Sequence, residues 1–144
     1  MRVETQLSVF LENKAGVFAD LAADLARHRI SIRGLTVANL VDHALVRLVV
    51  SAPEKALHLL GERGVLVVTS EVLALDIPDE AGALAAVARR LGRAGVNIEY
   101  AYASSPAAGG QAVVYLCASD LPKARAALGR PGRGGRNRGR RRKR

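Results

Sequence analysis

Three histidines, one cysteine and 13 acidic residues are the raw material for catalysis in this chain of 144 residues, and their spacing forms no catalytic constellation. His28, His43 and His58 stand apart, without the grouping that holds a metal ion. Cys117 sits in the apolar run QAVVYLCA and reads as a small hydrophobe. Asp79 and Glu80 are adjacent on a turn, which does not aim two carboxylates at one bond. There is no glycine-rich phosphate loop and no nucleophile beside a base. No catalytic residue, metal or cofactor is therefore expected, and the chain does not read as an enzyme. What does recur is a set of polar and glycine positions. NKAGVFADLAADLARHRISI (13–32) and DEAGALAAVARRLGRAGVNI (79–98) align at an offset of 66, pairing Asn13 with Asp79, Gly16 with Gly82 and Ser31 with Asn97. Taken alone, Asn and Asp ahead of a helix are good N-caps, and the glycines permit a tight strand-to-helix turn. Asn97 opens a strand, where Asn is depleted, which points to a specific task.

The cations carry a second kind of chemistry. The formal net charge is +9, yet residues 1–128 hold 13 basic and 13 acidic side chains. The excess lies in GRPGRGGRNRGRRRKR (129–144), with nine Arg or Lys, five Gly and no acid. Such a segment cannot fill a core and is expected to be disordered. It can bind nucleic acid non-specifically by neutralising phosphates, the alternative function to the one developed below. One cysteine excludes an internal disulfide framework. The first ten residues lack the apolar run of a signal peptide, and no stretch approaches membrane-spanning length. A cytoplasmic location without membrane association is the expectation.

The elements that position the repeated residues follow from periodicity. Val3, Thr5, Leu7, Val9 and Leu11 alternate with Gln6, Ser8, Phe10 and Glu12, the pattern of a half-buried strand. Phe18, Leu21, Ala22 and Leu25 form a helical stripe. ISIRGLTVAN and ALVRLVVS read as strands. Pro53 opens a helix with Ala56, Leu57 and Leu60 on its buried side, and GVLVV is a short strand after a helix-ending glycine. The second half repeats this order. Leu73, Leu75 and Ile77 mark its first strand, and Leu84, Val87, Ala88 and Leu91 its helical stripe. GVNIEYAYAS and QAVVYLCA follow as strands, and DLPKARAAL as a helix. Its last strand is missing, and the basic tail begins in its place. The fold class is α+β. Two ferredoxin-like βαββαβ units, at 1–69 and 70–128, lie side by side with their strands aligned into one sheet and the helices on one face, followed by the tail at 129–144.

A strand ending in a polar residue, then x-x-Gly, a helix, and a second strand opening Gly-Val-Asn-Ile resembles the ACT domain. This is the small ligand-binding module of amino-acid-regulated enzymes such as aspartate kinase and phosphoglycerate dehydrogenase. ENKAG (12–16) is similar to the family's E-N-x-P-G loop, with Ala15 where Pro is usual. DEAG (79–82) departs further, with Asp79 for Asn and Ala81 for Pro. GVNI (95–98) matches the strand-two signature in full, and RISI (29–32) has Ser31 in place of Asn. The resemblance covers residues 3–128, both repeats, and the layout is similar to stand-alone tandem ACT proteins that lack a catalytic domain. It implies a regulator that binds a free amino acid at the junction of two ACT units, through Asn13, Ala15, Gly16, Ser31, Asp79, Ala81, Gly82 and Asn97. Glycine at the helix start lets backbone N–H groups approach a carboxylate, and an Asn amide both donates and accepts. The loop comes from one unit and the strand-two residue from the other, pairing Asn13 with Asn97 and Asp79 with Ser31. A homodimer is expected on two grounds. The missing last strand would leave a sheet edge unpaired, and the helix-free face, carrying residues such as Phe10 and Leu35, would need cover.

Overall fold

The computed structural model describes residues 1–104 and 110–129. The order is β1 (Arg2–Glu12), α1 (Val17–Arg27), β2 (Ile32–Asn39), β3 (His43–Val50), α2 (Pro53–Glu62), β4 (Leu66–Pro78), α3 (Ala83–Arg93), β5 (Ile98–Ser104), β6 (Gln111–Ala118) and α4 (Leu121–Gly129). Six strands form one antiparallel sheet in the order β2-β3-β1-β4-β6-β5. The element order and the α+β class agree with the sequence reading. The basic segment lies outside the described residues, except that Gly129, counted there with the tail, closes α4.

The two repeats are joined more intimately than a linker allows. The expected last strand of the first repeat and first strand of the second are one strand, β4, and the boundary at 69–70 falls inside it. β4 pairs with β1 from Arg2↔Ala74 to Phe10↔Leu66. Within that ladder Thr5 faces Glu71, its own counterpart at the offset of 66, so the repeats exchange about this point. The N-terminal end of β1 thus lies where the second repeat's last strand would be. The edge expected to be open there is paired, and the free edges are β2 and β5.

Alternation sorts the side chains into two faces. Leu7, Val9, Val46 and Leu48 pack against Leu21 and Leu25 of α1 and Ala56 and Leu60 of α2. Leu73, Leu75, Val114 and Leu116 pack against Leu91 of α3 and Ala124 of α4, with Val3 of β1 completing that cluster. Val3 pairs with Leu73 in the ladder, so all four helices cover the same face. The second helical stripe is less buried than its pattern predicts: Leu91 is enclosed, whereas Leu84 is 50% exposed. Asp24 on α1 is buried and paired with Arg27 and with Arg63 (2.5 Å), tying α1 to the end of α2.

The helix-free face closes on itself. Val49, Val72, Ala74 and Tyr115 are buried there, flanked by Tyr102, Val113 and Cys117. The Tyr115 hydroxyl donates to the carbonyl of Arg33 on β2 (3.2 Å), four strands away in the sheet order, so the sheet is curled. Its cover is therefore partly internal, where a partner had been expected to supply it. Phe10 lies on this face, pairing with Leu45 and Leu66. Leu35 does not. A register shift between Ile32 and Gly34 sets Leu35 opposite the core residue Leu48, because a bulge resets which residues face which side. Burial pushes the Tyr102 phenol well above its ordinary 10.0, with Tyr100 and then Tyr115 adding to the shift. A raised folded-state pKa means folding favours the neutral phenol. That contribution is complete below the unfolded value of 10.0 and is lost as pH rises toward the folded one. Urea titrations at stepped alkaline pH are expected to show stability falling above about pH 10, with a shallower fall in Tyr102→Phe.

Candidate functional site

Both loops that the sequence singles out have the same local geometry. Gly16 (φ 90°, ψ −22°) and Gly82 (φ 92°, ψ −10°) occupy the N-cap positions of α1 and α3 in the left-handed region. Nothing lies within 4 Å of a Cβ added at either, so glycine is needed for its conformation and not for clearance. The cap positions thus belong to Gly16 and Gly82, and Asn13 and Asp79 lie three residues upstream. Asn13, Ala15, Gly16, Asp79, Ala81 and Gly82 are all exposed. Among the described residues the side-chain amides of Asn13 and Asn97 make no hydrogen bond.

The strand-two positions are built alike. Ser31 and Asn97 immediately precede β2 and β5. The Ser31 N–H donates to Ser51 Oγ (2.9 Å), and the Ser31 carbonyl accepts from the Ser51 N–H (2.9 Å). The Asn97 N–H donates to Ser119 Oγ (3.0 Å), and the Asn97 carbonyl accepts from the Ser119 N–H (3.0 Å). A serine just past the end of the neighbouring strand therefore clamps each backbone in both repeats, and Ser31 and Asn97 are exposed. The sequence reading passed over Ser51 and Ser119. Their signal was a second repetition, VVS (49–51) against CAS (117–119), at an offset of 68.

Within one chain the expected partners are far apart. Extending the ladders places Asn97 level with Ser119, then Ser70, then Gln6, which is seven residues short of Asn13 along β1. At about 3.3 Å per residue this is roughly 23 Å. Ser31 is likewise level with Ser51, Glu4 and Val72, seven residues short of Asp79. The structure thus brings neither Asn13 to Asn97 nor Asp79 to Ser31 in a single chain. A cavity of about 260 Å³ does lie beside the second loop, between Asp79, Glu80, Ala83 and Leu84 on one side and Ala103 and Ser104 on the other. The matching positions of the first repeat carry the larger Phe18 and Val37.

Other polar residues have structural settings. Arg47 lies over the Tyr100 ring, 4.1 Å from its centroid. Cys117 is half-buried, its Sγ donating to Glu99 Oε2 (3.4 Å), and burial pushes its thiol pKa up. His28 Nδ1 meets the Asp24 carbonyl (2.9 Å), and His58 pairs with Glu62. Among the described residues no three His, Cys, Asp or Glu side chains gather where they could hold a metal ion, and no helix is long and apolar enough to cross a membrane.

Comparison with known proteins follows the same lines. The family model described as an ACT domain pair matches residues 1–128. The crystal structure of protein BT0572 from Bacteroides thetaiotaomicron is similar at 34% identity, with a TM-score of 0.83 over 88% of this chain and 87% of that one. The ligand-free regulatory subunit of aspartate kinase from Thermus thermophilus shares the fold at 16% identity and a TM-score of 0.63, over 89% of this chain and 93% of that one. Aspartokinase III of E. coli, solved with aspartate and ADP, shares it at 20% identity and a TM-score of 0.56, over 90% of this chain but 32% of that one. Among curated proteins none matches. With the duplicated loop, the continuous six-stranded sheet and the match over both repeats in agreement, the chain belongs to the ACT domain pair family.

Proposed function

We propose that this protein is a non-catalytic cytoplasmic regulator that binds a free amino acid between ACT units of two chains. The observation that carries the reading is the duplicated device itself. A left-handed glycine opens each first helix, and a serine-clamped strand start presents Ser31 or Asn97. Exposed backbone N–H groups at the helix start suit a carboxylate. An Asn amide can receive an ammonium and donate to a carboxylate. Because each loop lies about seven residues of register from the strand start it needs, a second chain must supply the other half. Val37 of β2, 49% exposed, is apolar surface that a second chain would cover. The regulatory subunits and aspartokinases that share this fold make an amino acid the natural class of ligand.

The test is a thermal-shift panel of the 20 amino acids, with light scattering at micromolar concentration. A ligand at 100 times its Kd stabilises by about 2.7 kcal/mol, a shift of several degrees in a domain of this size. No response to any amino acid, or a monomeric mass throughout, would count against the reading. The two junctions are expected to be unequal. Asn13 with Asn97 offers two neutral amides, whereas Asp79 repels the carboxylate of a zwitterion. Loss of one hydrogen-bonding partner costs about 1–3 kcal/mol, so Asn13→Ala and Asn97→Ala are each expected to weaken binding roughly tenfold, with Asp79→Ala and Ser31→Ala mattering less. Calorimetric titration of the four variants decides. A dominant effect of Asp79→Ala would move the site to the junction beside the 260 Å³ cavity.

A further inference from the structure

We infer that the cleft between the two free edges of the sheet is a second ligand site, one that takes a small organic anion with an apolar body. The inference does not rest on the amino-acid reading. The cleft has a volume of about 340 Å³ and lies between the start of β2 and the end of β5. That size falls within the range of small-molecule sites. Its apolar walls are Ile32, Leu35 and the rings of Tyr102 and Tyr115, which stack with centroids 5.2 Å apart. Both phenol protons are already committed, Tyr102 donating to Gln6 Oε1 (2.9 Å) and Tyr115 to the Arg33 carbonyl (3.2 Å). The rings therefore present carbon to the cleft.

Among the described residues Arg33 is the one charged residue lining the cleft, and it forms no ion pair. An exposed arginine lining an apolar slot favours a carboxylate or a similar anion there. None of the described residues that line the cleft is an acid, which separates this ligand from a zwitterionic amino acid. The repeat symmetry breaks at this place. Gly34 leaves room for the Tyr115 ring, which a Cβ at that position would approach to 2.5 Å. The counterparts of Arg33 and Gly34 in the second repeat are Glu99 and Tyr100. There the sign of the charge is reversed, and the Tyr100 ring fills the corresponding space beneath Arg47.

The chain contains three tyrosines and no tryptophan, and two of the three, Tyr102 and Tyr115, line the cleft, so intrinsic fluorescence reads it. Phenylacetate is expected to give a saturable change, and benzylamine, the same body with the opposite charge, none. Arg33→Met replaces an exposed side chain and is expected to weaken phenylacetate at least tenfold, as loss of a charge-assisted contact does. The same variant is expected to keep its response to any amino acid found in the thermal panel, so the two sites can fail separately. Absence of a saturable signal, an equal response in Arg33→Met, or an equal response to benzylamine overturns the proposal. A signal that follows protein concentration at fixed probe also overturns it, by assigning the cleft to a second copy.

Discussion

Severing the chain between Thr69 and Ser70 is expected to give two fragments, neither of which folds alone, although the cut falls between the two sequence repeats. β4 runs unbroken through this point. The fragment 70–128 loses β1, which occupies the place of its fourth strand, and with it Val3, which packs on the second core. It also loses the Arg2 guanidinium that holds Asp76 at 2.5 Å. The fragment 1–69 keeps only the start of β4 and exposes Val49, which is buried against Val72, Ala74 and Tyr115. A unit of about 60 residues buries roughly 60% of its unfolded surface and is marginal even when intact. Deleting residues 1–5 from the full chain is expected to be nearly as severe, removing several ladder hydrogen bonds at about 1 kcal/mol each together with Val3. Against a total stability of 5–15 kcal/mol typical of such domains, either change should abolish cooperative melting of the second repeat by circular dichroism. Mixing the two fragments should restore it. A fragment 70–128 that melts cooperatively alone would show that β1 is dispensable to it.

Why the repeat was legible and its junction was not follows from particular residues. Leu7, Val9 and Leu11 against Leu73 and Leu75 are set by alternation over one buried face, which a single sequence displays. So are the loop glycines, because only glycine tolerates the left-handed backbone at 16 and 82 without strain. Thr69, Ser70 and Glu71, by contrast, read as a polar link. Yet they lie inside β4, opposite Leu7, Gln6 and Thr5, with Thr69 and Glu71 exposed and Ser70 accepting from the buried Gln6 amide. Polar residues in a strand and in a linker look the same in one sequence. The bulge that turns Leu35 to the helix side leaves no mark in the alternation either. For the candidate site, the repeated loop and strand-start positions were legible, but how they lie relative to one another was not. Register, which separates Asn13 from Asn97 by seven positions, is a property of strand pairing, and periodicity does not report it. Ser51 and Ser119 went unnoticed because their offset is 68, two residues out of phase with the loops.

Replacing Gln6 is expected to have the second largest effect, and it probes what keeps the sheet curled. Gln6 is 0% exposed, on the face that alternation assigns to solvent. Its Nε2 donates to Tyr100 Oη (2.7 Å) and Ser70 Oγ (3.2 Å), and its Oε1 accepts from the Tyr102 hydroxyl (2.9 Å). One amide thus ties β1 to β4 and, across the curl, to β5. Gln6→Ala removes all three bonds and leaves a void, an expected loss of about 3–4 kcal/mol. Gln6→Leu fills the space but strands the Tyr102 proton, for about 2 kcal/mol. Tyr102→Phe alone strands the Gln6 oxygen at a similar cost. In the double variant Gln6→Leu, Tyr102→Phe no buried donor or acceptor of this pair remains unmet, so the losses should not add. A double-mutant cycle from urea denaturation is expected to give a coupling of about 1–2 kcal/mol. Strict additivity would mean that water reaches the tyrosine hydroxyls in the variants. The curl would then rest on the Tyr115–Arg33 hydrogen bond and the apolar contacts of Val49, Val72, Ala74 and Tyr115.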